Sequence, residues 1–265
     1  MKHRLTHRGV FALLTGLALA PGAFAEEGVE WGYEGDIGPA YWSRLTWDYA
    51  ICEQGVHQSP IDLTEANEIQ YAQMERVMGT VAMDVERRAE VMDVLDNGHT
   101  VQITSDADIG VSIDGRDYGL LQFHFHSPSE HTLNGQSFPL EAHFVMGNEA
   151  GHLAVISYLF EAGEANEEYA PIIAGLPQNT GEERKLEDLD FDLEAIKPLS
   201  GDFFVYPGSL TTPPCSEGVI WLVHADPQEM SIEQLAAFTE ILENNNRPVQ
   251  PRHVRQLLLV KTEKP

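Results

Sequence analysis

Leu120-Leu121-Gln122-Phe123-His124-Phe125-His126, followed after one short excursion by Glu141-Ala142-His143-Phe144-Val145, alternates with the period of a β-strand. Side chains two apart on a strand point to one face, so Gln122, His124 and His126 share one side while Leu121, Phe123 and Phe125 share the other. In the second segment Glu141, His143 and Val145 face together. Two such strands lying near one another bring three imidazoles together, the number of protein ligands a catalytic zinc keeps while leaving a fourth position open. Histidines flanked by aromatics also pack in sheets without a metal. A third histidine in the same strand phase as an H-x-H pair weighs against that plainer reading. Gln122 and Glu141 weigh further, because metal-bound imidazoles donate their other N–H to an amide, carboxylate or carbonyl.

The β texture extends outward from these segments. Strands are expected at 80–85, 91–95, 100–104, 111–113, 119–126, 140–146 and 153–160, with Gly, Asn and Asp in the gaps and a turn at Asp96-Asn97-Gly98-His99. Residues 163–175 read as a surface helix, and the acidic stretch 182–194 as a solvated connection. Two strands return at 203–206 and 218–224, on either side of Leu210-Thr211-Thr212-Pro213-Pro214-Cys215. Ser231 with Gln234 forms a capping box ahead of a helix whose stripe is Leu235, Phe238, Ile241 and Leu242. An apolar strand at 257–260 closes the chain. Towards the other end, residues 31–47 read as an irregular aromatic arm lying on the main body, Ile61 starts a buried edge, and 65–76 is loop or short helix. No repeat or linker divides the body, so the pattern by itself gives one β-rich α+β domain.

The first 25 residues read as a secretory signal: Lys2, Arg4 and Arg8, an apolar run from Gly9 to Ala20, then Pro21 and the small-x-small end Ala23-Phe24-Ala25. The run is too short to span a bilayer. Cleavage after Ala25 leaves residues 26–265 as a single domain with room for a substantial core, in the periplasm or outside the cell. The formal charge of −26 then becomes −29, because those three cations leave and all 42 acidic residues stay. Such a charge disfavours nucleic acid and anionic membranes as partners and favours a solvated surface tolerant of salt. Cys52 and Cys215 in an exported chain point to one disulfide, with two buried free thiols as the alternative. Closing so long a loop contributes about 5 kcal/mol in the chain-entropy model.

Seven motifs then occur in one order: W-G-Y at 31–33, Q-S-P-I at 58–61, Q-F-H-F-H at 122–126, S-E-H-T at 129–132, E-A-H-F-V at 141–145, Y-P-G-S-L-T-T-P-P at 206–214 and N-R-P-V-Q-P at 246–251. Together they resemble an α-class carbonic anhydrase of the exported bacterial kind. The resemblance implies a large, twisted, mostly antiparallel central sheet with short peripheral helices, and hydration of CO₂ to bicarbonate and a proton by a zinc-bound hydroxide. It implies His124, His126 and His143 as Zn²⁺ ligands. Their outer partners would be Gln122 for His124, Glu141 for His143 and the backbone carbonyl of Asn245 for His126. Thr211 and Glu130 would orient the nucleophile, and His99 would relay the proton to buffer.

By the same resemblance Val145, Val155, Leu210, Val219 and Trp221 wall the CO₂ pocket, with Thr211 and Thr212 at its rim. Tyr33, Asn97 and Gln102 would line the connecting waters; Gln102 is longer than the asparagine of the animal enzymes. Cys215 would tie the threonine-bearing loop to Cys52. His131 is expected to be a structural hydrogen-bonder, and His57, His152, His224 and His253 surface or structural. The substrate is a small molecule, and a homodimer is left open. A zinc-free binding module of the same family would have lost ligands, and all three histidines are intact here. A different metal hydrolase would need a nucleophile elbow or an H-E-x-x-H motif, and neither occurs.

Overall fold

The apolar side chains of the strand-patterned segments between residues 92 and 160 need a packed layer on at least one side, and they obtain it as a sheet. The computed structural model describes residues 29–71, 74, 81–87, 89–106, 108–188 and 201–261. The segment read as a signal, 1–25, and the end of the acidic stretch beyond 188 lie outside the described residues. From Trp31 onward the chain forms one unit.

In chain order the strands are β1 (Asp62–Leu63), β2 (Asn67–Gln70), β3 (Val81–Arg87), β4 (Met92–Asp96), β5 (Val101–Ser105), β6 (Asp108–Ile113), β7 (Arg116–His126), β8 (Thr132–Leu133), β9 (Leu140–Gly147), β10 (Leu153–Ala162), β11 (Glu183–Leu186), β12 (Phe203–Ser209), β13 (Glu217–His224), β14 (Gln228–Met230) and β15 (Leu258–Lys261). Short helices α1 (Trp42–Leu45) and α2 (Ile51–Gln54) precede β1, and short α3 (Ala170–Ala174) and the longer α4 (Ile232–Leu242) lie between later strands. Among the described residues thirteen strands form one sheet in the order β11-β4-β5-β7-β9-β10-β13-β12-β15-β2, with β14 on β10 and a β3–β6 branch beside β7. Only β10–β13, β10–β14 and β15–β2 are parallel in it; the remaining pairs are antiparallel.

The two faces of the sheet's centre do different work. Behind it, Phe123, Phe125, Phe144, Tyr158 and Phe160 join one buried core with Leu235, Phe238 and Leu242 of α4. Phe125 meets Phe238 at 4.4 Å between centroids, and burying each such ring contributes roughly 1.5–3 kcal/mol. The capping box starts α4 as its sequence requires, with Ser231 Oγ accepting from Gln234 N–H at 3.3 Å and Gln234 Oε1 accepting from Ser231 N–H at 3.1 Å. In front, Val145, Val155, Val219 and Trp221 belong to a second cluster with Ile61 and Tyr206. A third, around Trp42 and the Cys52–Cys215 disulfide, takes in Trp31 and Tyr33 of the arm.

Four expectations are corrected. Leu121 does not share the face of Phe123 and Phe125: the β7–β9 register shifts between Leu120 and Gln122. This bulge leaves Leu121 52% exposed and puts Leu120 against the core instead. Part of 65–76 is a strand, β2, added parallel to β15. Part of the acidic connection is also a strand, β11, added to β4 at the opposite edge. Residues 163–175 form only a 3₁₀ turn (Glu167–Tyr169) and α3, started by Pro171 near its N-terminus and stopped at Gly175.

Candidate metal centre and active site

The register of β7 and β9 sets His124 directly opposite His143. Behind them Phe123 stacks on Phe144 at 4.9 Å and 11°, which holds that register from the core side. His126 follows two residues on, and the three rings lie 4.6–5.2 Å apart between centroids. One nitrogen of each ring falls within 4.8 Å of the other two. The other nitrogens face oxygen: His124 Nδ1 is 2.8 Å from Gln122 Oε1, His126 Nδ1 2.7 Å from the Asn245 carbonyl, and His143 Nε2 2.8 Å from Glu141 Oε1. An acceptor at one nitrogen fixes the hydrogen there and leaves the opposite lone pair free.

Those lone pairs fit a zinc ion. His126 Nε2 is buried without a hydrogen-bond partner, a costly state unless a ligand completes it. Burial lowers the pKa of His124 and His143 and takes His126 to about 4, so all three rings are neutral, the form that binds metal. Three imidazoles with an outer acceptor each are a donor set suited to Zn²⁺.

Glu141 is buried beneath them and heavily bonded. Its Oε2 accepts the main-chain N–H groups of Glu130 and His131, each at 2.8 Å; its Oε1 faces His143, His131 Nδ1 at 2.6 Å and the Ser157 hydroxyl at 2.5 Å. Burial pushes this carboxyl up, but His131 and His143 outweigh it and hold it well below the usual carboxylate range. His131, Glu141 and His143 thus also group their ligand atoms, as hydrogen-bond partners. His131 Nε2 continues to Tyr206 Oη at 2.6 Å, and Tyr206 donates to Ser59 Oγ at 3.0 Å.

Glu130 faces the same point as the three free nitrogens. Its Oε2 is 3.6 Å from His126 Nε2 and 3.9 Å from His143 Nδ1, while Oε1 accepts the Arg247 N–H at 2.8 Å. Burial raises its carboxyl to about 7, against the opposing pull of His143, the Arg247 N–H and the Thr211 hydroxyl. Thr211, itself buried, comes from the β12–β13 loop. Hydrogen bonds Leu210 N to Ser216 O (3.0 Å) and Cys215 N to Thr212 O (2.8 Å) close that loop. The Cys52–Cys215 disulfide ties it to α2.

The apolar wall stands beside His143. Val145 pairs with Val155, Val155 pairs with Trp221, and the Trp221 ring meets His143 edge-on at 4.9 Å. Leu210 and Val219 pack in the same cluster, and Thr212 is half-buried at the loop. On the far side Gln102 of β5 pairs with His124. His99, in the β4–β5 turn, is half-buried with its ring stacked on Trp31 at 3.9 Å and 6°; burial lowers its pKa. Asn97 is exposed, and its Oδ1 accepts the N–H groups of His99 and Thr100, closing the turn at Gly98, where φ is +84°. Tyr33 carries a buried hydroxyl without a hydrogen-bond partner. Burial, with Glu130 adding to it, raises its pKa.

Sequence pattern alone assigns no role to Ser157, Tyr206, Trp31 or the Arg247 side chain. Ser157 carries a signal: a small hydroxyl side chain in the otherwise aliphatic and aromatic run 153–160 needs a partner when buried. Arg247, at 2% exposure, is a buried cation in a motif already noted.

A mixed, largely antiparallel sheet carrying a three-imidazole centre on its middle strands defines the class as a histidine-centred metalloenzyme. Residues 37–261 match the family model described as eukaryotic-type carbonic anhydrase. The carbonic anhydrase of Pectobacterium atrosepticum is 35% identical over 95% of this chain and 99% of its own. That of Nostoc sp. is 36% identical over 87% and 86%. The solved α-carbonic anhydrase of Thermovibrio ammonificans, in complex with the inhibitor sulfanilamide, has a TM-score of 0.78 and 39% identity, covering 87% of this chain and 99% of that one. The chain belongs to the α-carbonic anhydrase family, enzymes whose general reaction is the hydration of CO₂.

Proposed function

We propose that residues 26–265 form an exported, zinc-dependent carbonic anhydrase that interconverts CO₂ with bicarbonate and a proton, the proton leaving by way of His99. The observation that carries this reading is the convergence of three neutral imidazoles, each braced by an oxygen, between an apolar wall and the Glu130–Thr211 pair. Zn²⁺, when bound, supplies the Lewis acidity that makes water nucleophilic near neutral pH. His124, His126 and His143 hold the ion. Thr211 donates its hydroxyl proton towards Glu130 and so presents its own oxygen as an acceptor, which orients the nucleophile. Val145, Val155, Leu210, Val219 and Trp221 offer CO₂ a surface that bonds water poorly. His99 accepts a proton from ordered water near Tyr33, Asn97 and Gln102 and passes it to buffer.

Export is supported by the disulfide and by the signal features of residues 1–25. Among the described residues no helix is long and apolar enough to cross a membrane.

Stopped-flow CO₂ hydration by the zinc-loaded protein beside His143→Ala tests the reading. A loss of about 10²-fold or more is expected, because the variant forfeits a metal ligand and the outer shell alone is worth 10–100-fold. Equal rates in the two proteins would sink it.

A further inference from the structure

Five contacts that shape the site come from two residues of one irregular segment, Asn245 and Arg247. The Asn245 carbonyl faces His126 Nδ1 at 2.7 Å, its Oδ1 accepts from Ser127 N–H at 2.9 Å, and its Nδ2 donates to the carbonyls of His99 at 3.0 Å and Phe125 at 2.9 Å. The Arg247 N–H donates to Glu130 Oε1 at 2.8 Å. Residues 245–250 belong to no helix or strand, so no ladder of main-chain hydrogen bonds fixes where these groups stand.

The Arg247 side chain provides the anchor. Nη1 donates to Gln58 Oε1 at 2.9 Å and to the Ser59 carbonyl at 2.8 Å, and Nη2 donates to the Cys52 carbonyl at 2.6 Å. The guanidinium also lies over the Trp42 ring, 5.6 Å from its centroid. These three acceptors are neutral oxygens of one stretch, 52–59, and they match a planar fork; an ammonium has no such geometry. Trp42 is fixed in turn by donating to the carbonyls of Gly32 and Ile37, and its ring meets Trp31, which stacks on His99.

We infer that Arg247 is a positioning residue: its guanidinium, clamped between the 52–59 stretch and Trp42, sets the backbone of 245–247 and thereby orients His126 and Glu130. What those two groups then do rests on the function proposed above; the clamp itself does not. His124 and His143 take their acceptors from their own strands, at Gln122 and Glu141, and are independent of it. A general packing role would loosen all three rings, whereas a positioning role loosens one.

Proton NMR of the ring N–H groups in the zinc-loaded protein reads that difference. In Arg247→Lys the His126 Nδ1–H should exchange with water about tenfold faster, with His124 and His143 within about twofold of the parent. CO₂ hydration measured as kcat/KM should fall about tenfold in the parent background and by less once Glu130→Gln is present, the remaining fall being the share carried through His126. Equal acceleration at all three rings, or none at His126, overturns the inference, as does an equal fall in both backgrounds. A parent protein without hydratase activity would remove the function proposed above and leave the exchange measurement to judge the clamp. If Arg247→Lys fails to fold, Gln58→Met removes one acceptor and keeps the guanidinium. The same selective loss at His126 is then expected, and its absence overturns the inference equally.

Discussion

A histidine relays protons only if it can both take and give them near working pH, and two features bear on that at His99. Burial lowers its pKa, so at neutral pH the ring is uncharged and ready to accept. The flat stack on Trp31 gives the neutral ring a defined resting place beside solvent. His99→Ala should therefore slow turnover about 10²-fold in weak buffer, with the low end of general acid–base effects as the guide. Added imidazole should restore much of the rate. A turnover unchanged in weak buffer, or a loss that imidazole leaves untouched, would remove His99 as the relay. At this scale the sequence was informative wherever chemistry constrains residue type. Three histidines in strand phase are legible, whereas Trp31 beside His99 is not, because nothing local couples residues 68 positions apart.

The β12–β13 loop shows how an element is held by groups outside its own hydrogen-bond ladder. Glu217, at the start of β13, accepts the His57 N–H at 2.6 Å and the Gln58 amide at 3.1 Å, and Gln58 also donates to the Cys215 carbonyl at 3.1 Å. Gly55 has no side chain because a Cβ there would run into Glu217 Oε1, Gln58 Nε2 and the Ile51 carbonyl. Burial pushes the Glu217 carboxyl up, but the hydrogen bonds from the His57 N–H and the Gln58 amide bring it net below its usual value. A carboxyl depressed in the folded state adds stability above its unfolded pKa, and that contribution fades as pH falls through the folded value. Glu217→Gln should thus melt lower than the parent at pH 7, and the gap should close as pH falls below the ordinary carboxylate range. Melting curves across that range check it; a constant gap would assign the effect to packing. Element by element, legibility followed burial. β7 repeats in its side chains the two-residue period of a half-buried strand, while β9 and β10 are short runs buried on both faces. β2 and β11 owe their extended form to pairing with β15 and β4 at the sheet's edges, which no local pattern announces. The bulge at Leu121 inverts Leu120 and Leu121 within an otherwise correct alternation, since a register shift belongs to two strands at once.

At the scale of the whole molecule, two of the scarce cations are committed inward. The chain has 16 Lys and Arg against 42 Asp and Glu, yet two buried arginines give their hydrogen bonds to neutral oxygens. Arg247 serves Cys52, Gln58 and Ser59; Arg255 serves the carbonyls of Arg252, Pro207 and Pro251, over the Tyr206 ring at 5.6 Å. The Lys and Arg ion pairs seen among the described residues, such as Lys261–Asp202 at 2.8 Å and Lys185–Glu187 at 3.3 Å, are exposed or half-exposed, the kind worth about 0–1 kcal/mol. The acidic surface is therefore largely uncompensated, and its self-repulsion opposes the compact state. Screening acts on that term strongly at first, because the Debye length falls from about 30 Å at 0.01 M to about 10 Å at 0.1 M and about 3 Å at 1 M. The melting temperature should accordingly rise with added sodium chloride, with most of the gain below about 0.3 M, where screening first becomes shorter than the spacing of surface charges. A melting temperature that falls steadily with salt would show that the few surface ion pairs, which screening weakens, outweigh the repulsion that it relieves.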